Sequence, residues 1–157
     1  MNVKIRNYSE SHLLKTYAGI KKVKIVGLTQ EKAYILGVLC GNGWIASSKR
    51  RYRIGLSVKD KDFAIRFAKS LKESYGIECT IRKCVPKNKN WNVQYAVDLN
   101  SKLACEDILS YGIFNTTDWR VPKQILGSND NKVIGYFLRG FYDSEGHVNA
   151  SCYQLKY

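Results

Sequence analysis

Acid is scarce in this chain: 13 Asp and Glu stand against 26 Lys and Arg in 157 residues, giving a net charge of +13 and a pI near 9.6. Such an excess of base favours a polyanionic partner. The sequence also lacks any apolar run long enough to span a bilayer, so nucleic acid stands ahead of a membrane surface as that polyanion. The opening residues Met1-Asn2-Val3-Lys4-Ile5-Arg6 lack the apolar core of a secretory signal, and a cytoplasmic protein is expected. No CxxC pair occurs. The five cysteines, Cys40, Cys79, Cys84, Cys105 and Cys152, are odd in number and irregularly spaced, so neither a disulfide framework nor zinc is expected and the thiols read as reduced. Without secretion, the glycosylation-like triplet Asn115-Thr116-Thr117 carries no meaning. The apolar content is ordinary, 45%, and the length suits one compact domain with its own core.

What the chain does have is a repeat. Ala33-Tyr34-Ile35-Leu36-Gly37-Val38-Leu39-Cys40-Gly41-Asn42-Gly43 and Tyr136-Phe137-Leu138-Arg139-Gly140-Phe141-Tyr142-Asp143-Ser144-Glu145-Gly146 follow one design, 103 residues apart. Each is an apolar run with a central glycine, closed by a small residue, an oxygen-bearing side chain and a glycine. Gly37 matches Gly140, Gly41 matches Ser144, and Asn42 matches Glu145. The side-chain-free positions Gly37 and Gly140 suit a seam where two helices approach closely. Residues 42 and 145 then fall at equivalent ends of that pair.

Between the copies the pattern reads as alternating hairpins and helices. Thr29 is a candidate N-cap for a helix to about Gly41. Trp44–Ser48 and Tyr52–Val58 read as strands joined by Lys49-Arg50-Arg51. Tyr52, Ile54, Leu56 and Val58 form a buried face and the alternate residues a cationic one. A helix is predicted over Asp62–Tyr75, with Phe63, Ile65, Phe67, Ala68, Leu71 and Tyr75 as its apolar stripe and Gly76 as its stop. Ile77–Cys84 and Trp91–Leu99 read as a second hairpin, Ser101–Tyr111 as a third helix, and Phe114–Lys132 as loop with a short turn after Pro122. Helix-forming pattern resumes over Lys132–Asp143, and His147–Tyr153 reads as a strand. Lys61, Arg66, Lys69 and Lys72 are expected on the outer surface. The period fits two domain halves better than a solenoid.

Together the two signature runs and the hairpins between them resemble the LAGLIDADG homing endonucleases of the two-motif, monomeric type, over about residues 28–153. The resemblance implies an α/β (α+β) fold: an αββαββα half with an antiparallel, saddle-shaped DNA-binding sheet, plus the first helix and strand of a pseudo-symmetric second half. It divides the chain into a basic arm (1–28), a first half (29–131) and the incomplete start of a second (132–157); either the chain is a fragment of a two-half protein, or the missing half is lost or supplied by another chain. The activity implied is site-specific cleavage of double-stranded DNA, intron- or intein-encoded, with Mg²⁺ or Mn²⁺ as cofactor; Ca²⁺ could occupy the site without supporting cleavage. The compartment becomes organellar if the gene lies in an organelle intron.

Asn42 and Glu145 are then the catalytic and metal-binding pair, with the small residues Gly41 and Ser144 letting the last helical turns touch. A carboxylate at 145 is a hard oxygen ligand suited to Mg²⁺. Asn42 departs from the family pattern, which carries an acid there. A neutral amide should weaken metal binding, and substitution or decay is favoured over a fully active enzyme. An RNA maturase or a non-cleaving DNA-binding relative is the alternative. Asp143 reads as a group adjacent to the ligands and Cys40 as packing. For the duplex, Ser48, Arg50, Arg51, Arg53, Ser57 and Lys59 of the first hairpin, with Thr80, Arg82, Asn92 and Gln94 of the second, are expected to face outward. Arg51, Arg53, Arg82 and Gln94 are the base readers. Lys49, Lys83, Lys87 and Lys89 are expected to meet phosphates, and His147, Asn149 and Ser151 to continue the face. Lys59 and Lys83 are the candidates for a basic residue beside the metal.

Overall fold

The computed structural model describes residues 13–14, 23–48, 51–88, 90–115 and 118–146. Lys49, Arg50, Lys89, His147, Asn149 and Ser151, and the strand expected at His147–Tyr153, lie outside them. Two short strands, β1 (Leu13–Leu14) and β2 (Val23–Lys24), pair antiparallel. Val23 is fully buried, with Ile25 and Leu28 packed against the same core.

Helix α1 (Gln30–Cys40) begins where Thr29 Oγ1 accepts the Lys32 amide at 3.2 Å, and it is buried on every side. It feeds β3 (Gly43–Ser48) and β4 (Arg51–Val58). Helix α2 (Lys61–Tyr75) is capped by Asp60, which accepts from the amides of Asp62 and Phe63. It stops at Gly76, whose φ of 70° only glycine adopts without strain. There follow β5 (Ile81–Cys84), β6 (Gln94–Asn100), α3 (Lys102–Leu109), a single turn α4 (Lys123–Leu126) and α5 (Asn131–Glu145). The four long strands form one antiparallel sheet in the order β3-β4-β6-β5. Helices α1, α2 and α3 cover one face of it, burying Ile54, Leu56, Val97 and Leu99 against Ile35, Leu36, Phe67, Leu71 and Ile108. Among the described residues no helix covers the other face, which is open.

The second hairpin is shorter than its sequence pattern predicts. Asn88 Oδ1 accepts from the Asn90 amide and its carbonyl from Trp91, which draws Trp91 out of the strand, so β6 starts at Gln94 instead of Trp91. On the other strand, Ile77 would fall opposite Ser101, where the chain has already turned into α3, so pairing starts at Ile81. Ile65 is 43% exposed and not part of the α2 stripe. Positions 63, 65 and 67 cannot share one face of a 3.6-residue helix. Arg66 also corrects its expected place. It turns inward, pairing with Glu31 at 2.9 Å and lying over the rings of Tyr34 and Tyr136, and so ties α2 to both α1 and α5.

Burial of weak acids gives the fold an alkaline limit. Burial raises the Cys40 and Cys105 thiols from 9.0 to about 12, and Tyr111 from 10.0 to about 12, with Asp107 adding to the last. These groups stay protonated in the fold while the unfolded chain ionises, so their stabilising contribution is intact below 9 and is lost as pH climbs towards 12. Buried Lys32, whose pKa is lowered, acts in the opposite sense but is one group against several. Urea-unfolding free energy should fall steadily across that window; a flat profile from pH 9 to 12 would contradict it.

Candidate functional site

The two signature runs form the tightest helix contact in the molecule. A Cβ added to Gly37 would sit 2.1 Å from the Phe137 carbonyl oxygen, and one added to Gly140 would sit 2.2 Å from that of Tyr34. Backbone therefore lies on backbone, reciprocally, at the centre of the α1–α5 seam. One turn further on, a Cβ on Gly41 would meet Ser144 Cβ at 2.4 Å. Ser144 turns its hydroxyl back to the Gly140 carbonyl at 3.1 Å, and its own carbonyl accepts the Asn42 side-chain amide at 2.6 Å. Glu145 Cγ lies 3.1 Å from that same added Cβ on Gly41, so Asn42, bonded to Ser144, and Glu145, the next residue, both lie at the foot of the paired helices, and both are exposed.

Around this point the seam is asymmetric. Tyr34 donates to Asp143 Oδ2 at 2.7 Å, and Arg139 lies 3.8 Å from the same carboxylate. Burial and then the Asp143 bond push the Tyr34 hydroxyl far above its usual pKa, so it is a permanent donor. The corresponding pair across the pseudo-twofold is Phe137 and Cys40, which is apolar. Sequence reasoning missed Tyr34 and Glu31. Comparing the two copies position by position, Tyr against Phe and Cys against Asp, was the available signal. Cys40 remains a protonated packing thiol.

Cross-strand register defines the open face. Ser48 pairs with Arg51, Ala46 with Arg53, and Trp44 with Gly55; on the far side Arg53 faces Asn100, Gly55 faces Asp98, and Ser57 faces Ala96, which faces Arg82. Partners share a face, so Ser48, Arg51, Arg53, Ser57, Arg82 and Gln94 all lie on it. Trp44 lies flat over Gly55, where any Cβ would strike the indole at 2.3 Å. Ser57 donates to Gln94 Oε1 at 2.9 Å, and Arg82 is ion-paired to Asp98. Lys83 is a correction: its register partner is Tyr95, which puts it on the opposite face from Arg82 and away from any site on the open side. Thr80 and Asn92 are exposed but fall outside the strands, as does Lys87. Lys59 follows β4 at the end of the sheet nearest the seam, where Leu56 pairs with Gly43. It lines an open groove of about 410 Å³ with Trp91, Asn92 and Gln94.

Among the described residues no group of three His, Cys, Asp or Glu gathers as a metal nest. At the helix feet the available donors are the Glu145 carboxylate, the Asn42 amide oxygen and backbone carbonyls. All are hard oxygens and fit a divalent cation such as Mg²⁺, but with one negative charge in the set.

A family model described as a LAGLIDADG-like domain matches residues 29–111. The chain belongs to the LAGLIDADG family. The uncharacterized protein MJ0314 of Methanocaldococcus jannaschii is 35% identical over 147 residues, covering 94% of this chain and 51% of that protein. A doubly substituted I-DmoI, solved with its nicked target DNA in the presence of Mn, superposes with a TM-score of 0.50 at 15% identity, over 78% of this chain and 64% of that one. The homing endonuclease I-WcaI bound to its DNA recognition sequence gives 0.48 at 15% identity, over 71% and 51%. The likeness to I-DmoI shows the fold: a mixed α/β unit with a four-stranded antiparallel sheet. This chain spans about half the length of the curated relative it matches.

Proposed function

We propose that this chain belongs to a site-specific double-stranded DNA endonuclease of the homing type, intron- or intein-encoded, whose chemistry Asn42 attenuates. One observation carries this reading: beneath a glycine-welded helix pair Asn42 bonds the carbonyl of Ser144 while Glu145 packs against Gly41, beside a sheet face lined with arginine. The cationic face would follow the major groove, and strands of such a ribbon fit it. Glu145, the Asn42 amide oxygen and the backbone carbonyls of Gly41 and Ser144 would hold the cation. Mg²⁺ or Mn²⁺, when bound, supplies an activated water and neutralises charge on the leaving oxygen. The protein's own part is rigidity: the bond from Asn42 to the Ser144 carbonyl ties the two helix ends together, and Tyr34 anchors the last turn of α5 before Glu145 through Asp143. Asn42 spends its amide N–H on Ser144 and offers only a neutral oxygen, halving the charge an Asp–Glu pair would present.

A second, sheet-bearing unit would complete the site, as more of this chain or as another. Leu138 and Tyr142 on α5 are 46% and 66% exposed, whereas their repeat equivalents Ile35 and Leu39 are 0% and 2% exposed beneath the first sheet. Asn42 also supports a second reading, a relative that binds duplex DNA or an intron RNA without cutting.

The test is selection of cleaved sites from a randomised duplex library, with Mg²⁺, Mn²⁺ or Ca²⁺, using protein that carries a second half. Asn42→Asp should raise cutting on the order of tenfold or more, with chelation abolishing it. Metal-dependent cutting that Asn42→Asp leaves unchanged would remove the metal assignment. Tighter binding of intron RNA than of any duplex would favour the maturase reading.

A further inference from the structure

Among the described strand residues, one carboxylate lies on the cationic face. Asp98 sits beside Gly55 in register, next to the Trp44 indole that covers that glycine, and is only 12% exposed. A lone acid on a phosphate-binding surface weakens binding, yet both of its oxygens are engaged: Oδ1 accepts from Arg82, and Oδ2 lies 3.5 Å from the Asn100 amide nitrogen. Arg82 itself stays 57% exposed. Arg51 and Arg53, on the same face, form no ion pair among the described residues.

The contrast separates two jobs. Contact with a phosphate needs a positive charge within reach and tolerates many rotamers. Bidentate reading of guanine O6 and N7 needs a guanidinium in one plane, and an arginine already held loses less freedom on binding. A guanidinium has five N–H groups, so the bond to Asp98 leaves donors for a base.

We propose that Asp98 is a positioning residue for sequence recognition: it holds Arg82 in a single orientation for reading a guanine, while Arg51 and Arg53 serve the backbone. Asp98 thus exchanges general affinity for discrimination at one base pair. This rests on the duplex-binding reading above.

Selection of bound sequences from a randomised duplex library by the full chain separates the two claims. The wild-type protein should enrich guanine at one half-site position on the order of tenfold over other bases, and Arg82→Gln should erase that position alone. Asp98→Asn should flatten the same position to about twofold or less while binding to random duplex at low salt stays equal or strengthens, since a negative charge has gone. Thermal unfolding confirms that each variant is folded, and the asparagine retains the shape and a hydrogen bond to Arg82. A purely structural Asp98 would shift stability and leave the base preference intact; that result overturns the inference. So does a wild-type protein that binds duplex without any guanine position sensitive to Arg82→Gln. Absence of duplex binding even at low salt would instead bring down the duplex-binding reading, and this inference with it.

Discussion

Gly140→Ala is expected to destabilise the protein by about 3 kcal/mol or more, far beyond an ordinary helix substitution. Its Cβ would sit 2.2 Å from the Tyr34 carbonyl oxygen and 3.1 Å from the Val38 amide nitrogen. Both are backbone atoms, which no rotamer change can move aside. The helices must separate, and with them Asn42 and Glu145 lose their common point. Gly135, five residues earlier on the same helix, is the internal control: nothing lies within 4 Å of an added Cβ there. Gly135→Ala should therefore stabilise α5 by roughly 0.5–1 kcal/mol through helix propensity alone. Urea unfolding followed by circular dichroism reads both. Equal effects at the two positions would mean that the seam is not the contact described.

Lys32→Ala should cost about 3 kcal/mol or more. Lys32 is a fully buried lysine on α1, with Nζ 2.7 Å from Asp107 Oδ2 on α3, donating also to the Val26 carbonyl, and 5.6 Å from the ring centres of Tyr75 and Tyr111. Tyr75 donates to the same Asp107 oxygen at 2.8 Å. Desolvation lowers the Lys32 pKa, and the Asp107 pair opposes that shift. Removing the lysine leaves Asp107 without its cation and the Val26 carbonyl without its donor. Lys32→Met with Asp107→Asn, which removes both charges and keeps volume, should recover most of the loss. A double mutant no more stable than Lys32→Ala would contradict this, since neither lost volume nor a stranded carboxylate could then account for the cost, and the bonds the ammonium makes to Asp107 and Val26 would carry it.

Much of this fold is legible in the sequence because its signals are local. Thr29 and Gly76 bound their helices where expected, and the period-two alternation of Tyr52–Val58 and Val93–Leu99 assigns the buried and open faces correctly. The seam glycines were legible for a different reason: a repeat with a side-chain-free centre has few physical uses other than close helix contact. The misreadings are those where a neighbour decides. Arg66 looks like a surface residue of α2 until Glu31 and two tyrosines from other helices surround it. Lys83 is one position from Arg82 in a strand, and a single step in register sends it to the opposite face.

By itself, then, the sequence determined the basic charge, the two signature helices, the hairpins between them and which strand side chains face away from the core, since composition and periodicity are properties of the chain alone. Only the tertiary structure decided how those side chains are held. Lys32 with Asp107, Tyr34 with Asp143, and Arg82 with Asp98 are partners 75, 109 and 16 residues apart. No spacing rule links such positions, because the bonds exist only once helices and strands distant in sequence have packed together.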